Sequence, residues 1–103
     1  MDRMVNDEAF YKECLITFTT DPGFKKLGQA IQNKDAEAAF ESAHALKGVA
    51  GNLGLDPLYQ SLCDLVEALR EEQMDKAFDA YSLFQNKLKD FRKTIEIIRQ
   101  TSN

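Results

Sequence analysis

The sequence predicts an all-α fold, an up-and-down antiparallel four-helix bundle with an additional short N-terminal helix. Apolar residues recur at intervals of three and four along most of the chain, and no segment has the alternation typical of a strand. Short polar breaks divide the chain into five helical pieces, and short connections favour antiparallel neighbours. With 103 residues, the whole chain (1–103) suits a single domain.

The first two helices are separated by the segment "TTDPGF". The first is predicted from about Asp7 to Thr19, with one stripe formed by Phe10, Cys14 and Phe18. In the second, Asp21 is predicted as the N-cap and Pro22 as the first helical residue, a position where proline is favoured. This helix ends near "QNKD", and its apolar residues are Phe24, Leu27 and Ile31.

The same kinds of sequence signal predict the remaining three helices. Asp35 is predicted to cap the third helix and Gly54 to end it, while Asp56 and Pro57 repeat the cap-plus-proline start. Spacings of four, three and four predict the buried face of the fourth helix: Leu58, Leu62, Leu65 and Leu69. After the break "REEQMD", the longest helix carries a narrow apolar stripe of Ala77, Tyr81, Phe84, Leu88, Phe91, Ile95 and Ile98.

Composition excludes several classes of function. The net charge of -4 argues against nucleic-acid binding, and Asp90 and Glu96 interrupt the basic tract of Lys87, Lys89, Arg92 and Lys93. No apolar run reaches the roughly 20 residues of a membrane span, and the start "MDRMVNDE" does not resemble a signal peptide. Cys14 and Cys63 are expected to be reduced residues packed within helices. We therefore expect a cytoplasmic protein that binds neither membrane nor nucleic acid.

The third helix carries His44, the only histidine of the chain. Its predicted core face consists of Phe40, Ala43, Leu46, Ala50 and Leu53. At about 100° per residue, His44 lies about 120° from the centre of that face, where the imidazole is accessible. Lys47 lies at the core boundary, where its long stem can run along the surface and present the ammonium group.

Glycines follow the histidine at a spacing of three: Gly48, Gly51 and Gly54. Each glycine inside a helix costs about 0.5–1 kcal/mol relative to alanine. Gly48 and Gly51 continue the strip of surface on which His44 lies, and Glu37 and Glu41 continue it in the other direction. A bare strip beside an imidazole suits chemistry between two proteins, although the glycines could instead permit close helix–helix approach, or Gly51 and Gly54 could simply fray the helix end. Gly54 is expected only to end the helix.

The segment "AHALKGVAGNLGL" resembles the signature of histidine-containing phosphotransfer (HPt) domains, and "LYQSLCDLVEAL" resembles their next helix. The resemblance covers about residues 7–100. It implies that His44 accepts a phosphoryl group from the aspartyl phosphate of one receiver domain and passes it to another. It further implies that Lys47 stabilises phosphoryl charge and that Gly48 leaves room for the group. Gly51 belongs to the same surface, on which Glu41 is also expected to meet the partner.

The resemblance also sets expectations for cofactors, partners and scaffold residues. The chain should hold no metal or cofactor of its own, because Mg²⁺ and the reacting aspartate come from the receiver. The core-face residues, Phe40 among them, would be scaffold only, and the protein would be a monomer without autokinase activity. Some family members carry a polar side chain that orients the imidazole, but Val66 stands at the aligned position. Gln60 or Asp64 are the candidates to replace it.

Three other interpretations remain. A self-phosphorylating histidine kinase fragment would need a nucleotide-binding domain and an acidic residue directly beside the histidine, and Ala45 follows His44. A metal site through His44 and Glu41 would have only two ligands, fewer than a stable site needs. A helical-bundle adaptor that docks a signalling partner without being phosphorylated is the main alternative, and the presence of Lys47 and Gly48 argues against it.

Overall fold

The computed structural model describes the backbone of residues 2–101 and the side chains of residues 9–100. The described chain is helical and contains no strand, which confirms the all-α prediction. Its helices are α1 (Asp2–Phe18), α2 (Pro22–Gln32), α3 (Ala36–Asn52), α4 (Asp56–Arg70) and α5 (Met74–Thr101).

Helices α2 to α5 pack in chain order, each against the next. The rings of Phe24 in α2 and Phe84 in α5, with centroids 6.0 Å apart, bring the first and last of these four helices together. Helix α1 makes only a small contact with α5. It has 17 residues against 11 in α2, so the predicted short extra helix at the N-terminus is not confirmed.

The core is formed by the apolar stripes that the sequence predicts. All four leucines of the α4 stripe are buried, and Ala77, Phe84, Leu88 and Ile95 are the buried members of the α5 stripe. In α3 the buried residues are Ala39, Ala43, Leu46 and Ala50. The ends of the predicted α3 face, Phe40 and Leu53, are only partly buried. This position at the edge of the core leaves the Phe40 ring available for contacts at the surface.

The prediction of an apolar stripe on the first helix is only partly correct. Phe18 is buried and packs against Phe24 at a centroid distance of 5.0 Å, whereas Phe10 is 69% exposed. Cys14 is half-buried, as is Cys63, and both thiols are free. The Tyr11 hydroxyl donates a hydrogen bond of 2.6 Å to the carbonyl of Leu53 and links α1 to the end of α3.

Two of the three predicted helix caps are confirmed. Asp21 Oδ1 accepts a hydrogen bond of 2.7 Å from the amide of Gly23, and Asp35 Oδ1 accepts one of 3.1 Å from the amide of Ala38. The prediction for Asp56 is wrong, because this residue is already the first helical residue of α4. The cap position belongs to Leu55, which makes no side-chain capping bond.

Helices α2, α3 and α4 end in the same way, with one residue in the left-handed region followed by an amide that donates back into the helix. These residues are Lys34 (φ 58°), Gly54 (φ 72°) and Glu72 (φ 57°). The donating amides are those of Asp35, Leu55 and Gln73, at 2.8, 3.0 and 2.9 Å from their carbonyl acceptors. This is the Schellman motif. It confirms that Gly54 ends α3 and explains why α4 begins so soon afterwards.

None of the helices in residues 2–101 is both long enough and apolar enough to cross a membrane.

Candidate functional site

His44 lies on the side of α3 that faces α4, and its side chain is exposed. Two contacts define that side. One turn before His44, the Phe40 ring meets Arg70 of α4, and two turns after it, Gly51 lies against the ring of Tyr59 of α4. We call the surface of α3 formed by Phe40, His44, Gly48 and Gly51 the His44 strip. These contacts place the strip along the seam between two packed helices.

The imidazole of His44 stacks on the ring of Phe40. The ring centroids are 5.8 Å apart and the planes are inclined by 21°. The guanidinium carbon of Arg70 lies 5.9 Å from the centroid of the same phenyl ring, within the range of a cation–π contact. The sequence prediction treats Phe40 as scaffold only and does not consider Arg70. The structure brings both into the neighbourhood of His44.

The three glycines after His44 have different surroundings. A Cβ atom at Gly48 would have no neighbour within 4 Å, so the surface beside the imidazole is open there. A Cβ at Gly51 would lie 3.1 Å from Cε1 of Tyr59, so this glycine allows the tyrosine ring to approach. Gly54 is in the left-handed conformation that ends α3. The bare strip predicted over two glycines is therefore fully open at Gly48, whereas at Gly51, which is also exposed, the Tyr59 ring narrows it.

Tyr59 and Cys63 lie one turn apart on α4, beside the far end of the His44 strip. Hydrogen bonding between the two side chains, reinforced by their electrostatic interaction, raises the pKa of the Tyr59 hydroxyl above its ordinary value. The phenol is therefore neutral at physiological pH. It adds a polar but uncharged group to the surface next to Gly51.

The charged residues predicted around His44 lie on α3 itself. Lys47 is half-buried one turn after His44, and Glu41 is exposed almost one turn before it. Within the described side chains, neither makes a salt bridge or hydrogen bond. Both charges are therefore available to an approaching group.

The polar side chain that would orient the imidazole is missing from the described site. Val66 is buried, with 1% of its surface exposed, and has no polar atom to offer. Gln60 and Asp64 line a groove of about 610 Å³ between α4 and α5, together with Lys76 and Asp79. That groove lies on the side of α4 away from α3, so neither residue is placed to take over the role.

No three His, Cys, Asp or Glu side chains within the described range are grouped as a metal site would require.

The described site is thus one exposed histidine beside an open glycine, on the surface of a helical bundle. The family model of the Hpt domain matches residues 19–94, which include all of α2, α3 and α4 and most of α5. The chain belongs to the Hpt domain family. No curated protein and no solved structure matches the chain significantly. Hpt domains are phosphotransfer modules that interact with receiver domains, so the chain takes part in a two-component phosphorelay.

Proposed function

We propose that the protein is a phosphorelay intermediate whose His44 accepts a phosphoryl group from the aspartyl phosphate of one receiver domain and passes it to another. The observation that carries this proposal is the placement of His44 within the Hpt match. The imidazole is exposed, and the next turn of its helix offers open space at Gly48. A partner can therefore approach the ring without displacing a side chain there.

The reaction needs no redox agent and no base from this chain. The lone pair of the unprotonated ring nitrogen attacks phosphorus, and a nitrogen–phosphorus bond forms. The bond from phosphorus to the aspartate oxygen breaks, and the carboxylate leaves with the electron pair. In the second transfer, a receiver carboxylate attacks phosphorus and the imidazole leaves. Such transfers depend mainly on positioning and on stabilisation of the phosphoryl charge.

Lys47 supplies the positive charge in this proposal. It lies one turn from His44, is half-buried, and makes no ion pair with any described side chain. An ammonium group acts here as a point charge beside the phosphoryl oxygens. Gly48 provides clearance, while Glu41 and Gly51 belong to the surface that the receiver covers.

The partner supplies the rest of the chemistry. The reacting aspartate and Mg²⁺ are expected on the receiver, and the proposal gives this chain neither a cofactor nor autokinase activity. We further propose that the protein acts as a monomer. The two free cysteines are consistent with a reducing compartment such as the cytoplasm. The net charge of -4 disfavours nucleic acid as a partner.

The proposal is tested by incubating the protein with purified receiver domains that carry a radiolabelled aspartyl phosphate. Label should move to this protein, should be acid-labile, and should be absent in His44→Gln. If the wild type binds a receiver but is labelled by none in a cognate panel, the adaptor interpretation replaces the proposal. Labelling by ATP alone would instead show a kinase.

Lys47→Ala should slow the transfer about tenfold, because one positive charge beside the phosphoryl group is lost. Since the side chain makes no described hydrogen bond or ion pair, the thermal unfolding temperature should change little. Lys76→Ala on α5, which lines the groove on the other side of α4, is the matched control and should transfer at the wild-type rate. Equal transfer rates for Lys47→Ala and the wild type would exclude this role.

A further inference from the structure

We propose that Phe40, supported by Arg70 of α4, is the positioning residue for the imidazole of His44. The inference deepens the proposed function and rests on it. Its starting point is the stacked pair, with ring centroids 5.8 Å apart and planes inclined by only 21°. The two residues are separated by one helical turn, so the rigid backbone of α3 sets their spacing.

No other ring contact and no hydrogen bond to the imidazole is made within the described side chains. No described residue makes a hydrogen bond to the imidazole, and Val66 on the facing helix is apolar and buried. Gln60 and Asp64 line the groove on the opposite side of α4. Among the ring contacts and hydrogen bonds of the described side chains, the stack on Phe40 is therefore the one that restricts rotation of the imidazole.

Arg70 connects this stack to the neighbouring helix. Its guanidinium carbon lies 5.9 Å from the Phe40 centroid, and its Nη1 lies 3.0 Å from Oε2 of Glu67. The ion pair and the cation–π contact each restrict the arginine side chain, and the arginine in turn restricts the phenyl ring. Because Phe40 is only partly buried, the core alone does not fix this ring.

Stacking positions the imidazole in a way that suits phosphoryl transfer. The lone pair that attacks phosphorus lies in the plane of the imidazole, whereas Phe40 contacts one of its faces. The ring is therefore oriented while both nitrogens stay free of protein partners. A hydrogen bond from a polar side chain would occupy one of the nitrogens. Orientation of this kind matters when the phosphorus is held in place by a docked receiver.

The test compares Phe40→Leu with Phe40→Tyr in two phosphorylation reactions. The first donor is a phosphorylated receiver domain, for which kcat and KM are measured. The second is phosphoramidate, a small molecule that reaches the ring from any direction and releases ammonia as the nitrogen–phosphorus bond forms. The position of the imidazole is read separately from the proton NMR lines of His44, which a stacked phenyl ring shifts upfield.

Phe40→Leu should lower kcat with the receiver about tenfold, because the nitrogen is no longer held in line with phosphorus. KM and the rate with phosphoramidate should stay within about twofold of the wild type, since neither docking nor nucleophilicity changes. The upfield shift should disappear. Phe40→Tyr should restore both the shift and kcat, and Arg70→Ala should lower kcat about two- to threefold through the weaker support of the ring.

Matched controls separate positioning from a general loss of packing. Phe78→Leu removes another partly buried phenyl ring, on α5, and Arg92→Ala removes a cation–π contact with Phe24 at 5.4 Å. Both should transfer at the wild-type rate, and thermal unfolding identifies any variant that does not fold.

Three results would overturn the inference while the proposed function stands. These are an unchanged kcat in folded Phe40→Leu, an effect confined to KM, and an equal loss with phosphoramidate. If the wild type is labelled by phosphoramidate but by no receiver, the proposed function fails and the positioning role fails with it.

Discussion

Replacement of Gly48 by alanine should make the protein more stable and less active. Gly48 is inside α3, exposed, and not in the left-handed conformation, so its backbone does not require glycine. An added Cβ would meet nothing within 4 Å, so no steric cost offsets the gain in helix propensity. That gain is about 0.5–1 kcal/mol. For a domain of about 100 residues it corresponds to a rise of roughly 2–8 °C in the unfolding temperature.

The other two glycines, Gly51 and Gly54, provide comparisons for the stability expected of Gly48→Ala. At Gly51, an alanine Cβ would lie 3.1 Å from the Tyr59 ring, so the ring must shift and the gain should be smaller. At Gly54, with φ of 72°, alanine should destabilise the protein by about 1–2 kcal/mol. The unfolding temperatures, measured by circular dichroism, should therefore fall in the order Gly48→Ala, Gly51→Ala, Gly54→Ala.

The effect of Gly48 on activity is measured as the rate of phosphoryl transfer from a phosphorylated receiver. Gly48→Ala should slow it modestly, and Gly48→Leu should slow it at least about tenfold because a branched side chain fills the space beside the imidazole. Ser82→Leu, which adds the same side chain at an exposed position on α5, is the control. A folded Gly48→Leu variant that transfers at the wild-type rate would refute the clearance argument. A Gly48→Ala variant without added stability would show that the glycine has a structural role.

Three further predictions concern the scaffold. Lys34→Gly and Glu72→Gly should each stabilise the protein by up to about 1 kcal/mol in urea denaturation, because both residues hold a positive φ at a helix end; a loss of stability would contradict this. Burial raises the pKa of Tyr81, which favours the neutral phenol in the folded state. The resulting stability is present below the unfolded pKa of about 10 and is lost as pH rises through the higher folded value. The free energy of unfolding of the wild type minus that of Tyr81→Phe should therefore fall from pH 9 to pH 11. A difference that stays constant over this range would exclude a raised pKa of Tyr81 in the folded protein. Leu65→Ala should lower the free energy of unfolding, measured by urea denaturation, by about 2–5 kcal/mol, because loss of the fully buried side chain leaves a cavity. A loss below about 1 kcal/mol would mean that the core collapses into the space.

Helix periodicity and capping chemistry made most of the fold predictable from the sequence. The α4 stripe is buried because a spacing of four, three and four residues keeps its leucines on one face. Asp21 and Asp35 cap helices because a short carboxylate can reach an amide two or three residues later. Asp56 has the same local sequence signal but a different role. The Schellman motif around Gly54 uses the amide of Leu55 and leaves that residue, rather than Asp56, at the cap position.

The site was less predictable because it is built from two helices. Helical phase on α3 alone places His44 away from the core and puts both Gly48 and Gly51 beside it. It contains no information about how α4 is offset along α3. That offset brings Tyr59 against Gly51 and Arg70 over Phe40. Neither residue could be assigned to the site before the two helices were packed together.

The offset between α3 and α4 also limits how a partner can reach the imidazole. Toward the start of α3, the strip is bounded by the Phe40 ring and Arg70, which stack next to His44. Toward its end, the ring of Tyr59 narrows the strip at Gly51. The open surface between these boundaries, from His44 to Gly51, is about two helical turns, roughly 10.5 Å along the helix axis, and includes Gly48. An opening of that size admits a phosphoryl group and the tip of a partner loop, while stacking on the Phe40 ring restricts the direction of the imidazole. The site therefore combines one glycine that weakens the helix, Gly48, with one aromatic neighbour, Phe40, that limits the freedom of the histidine.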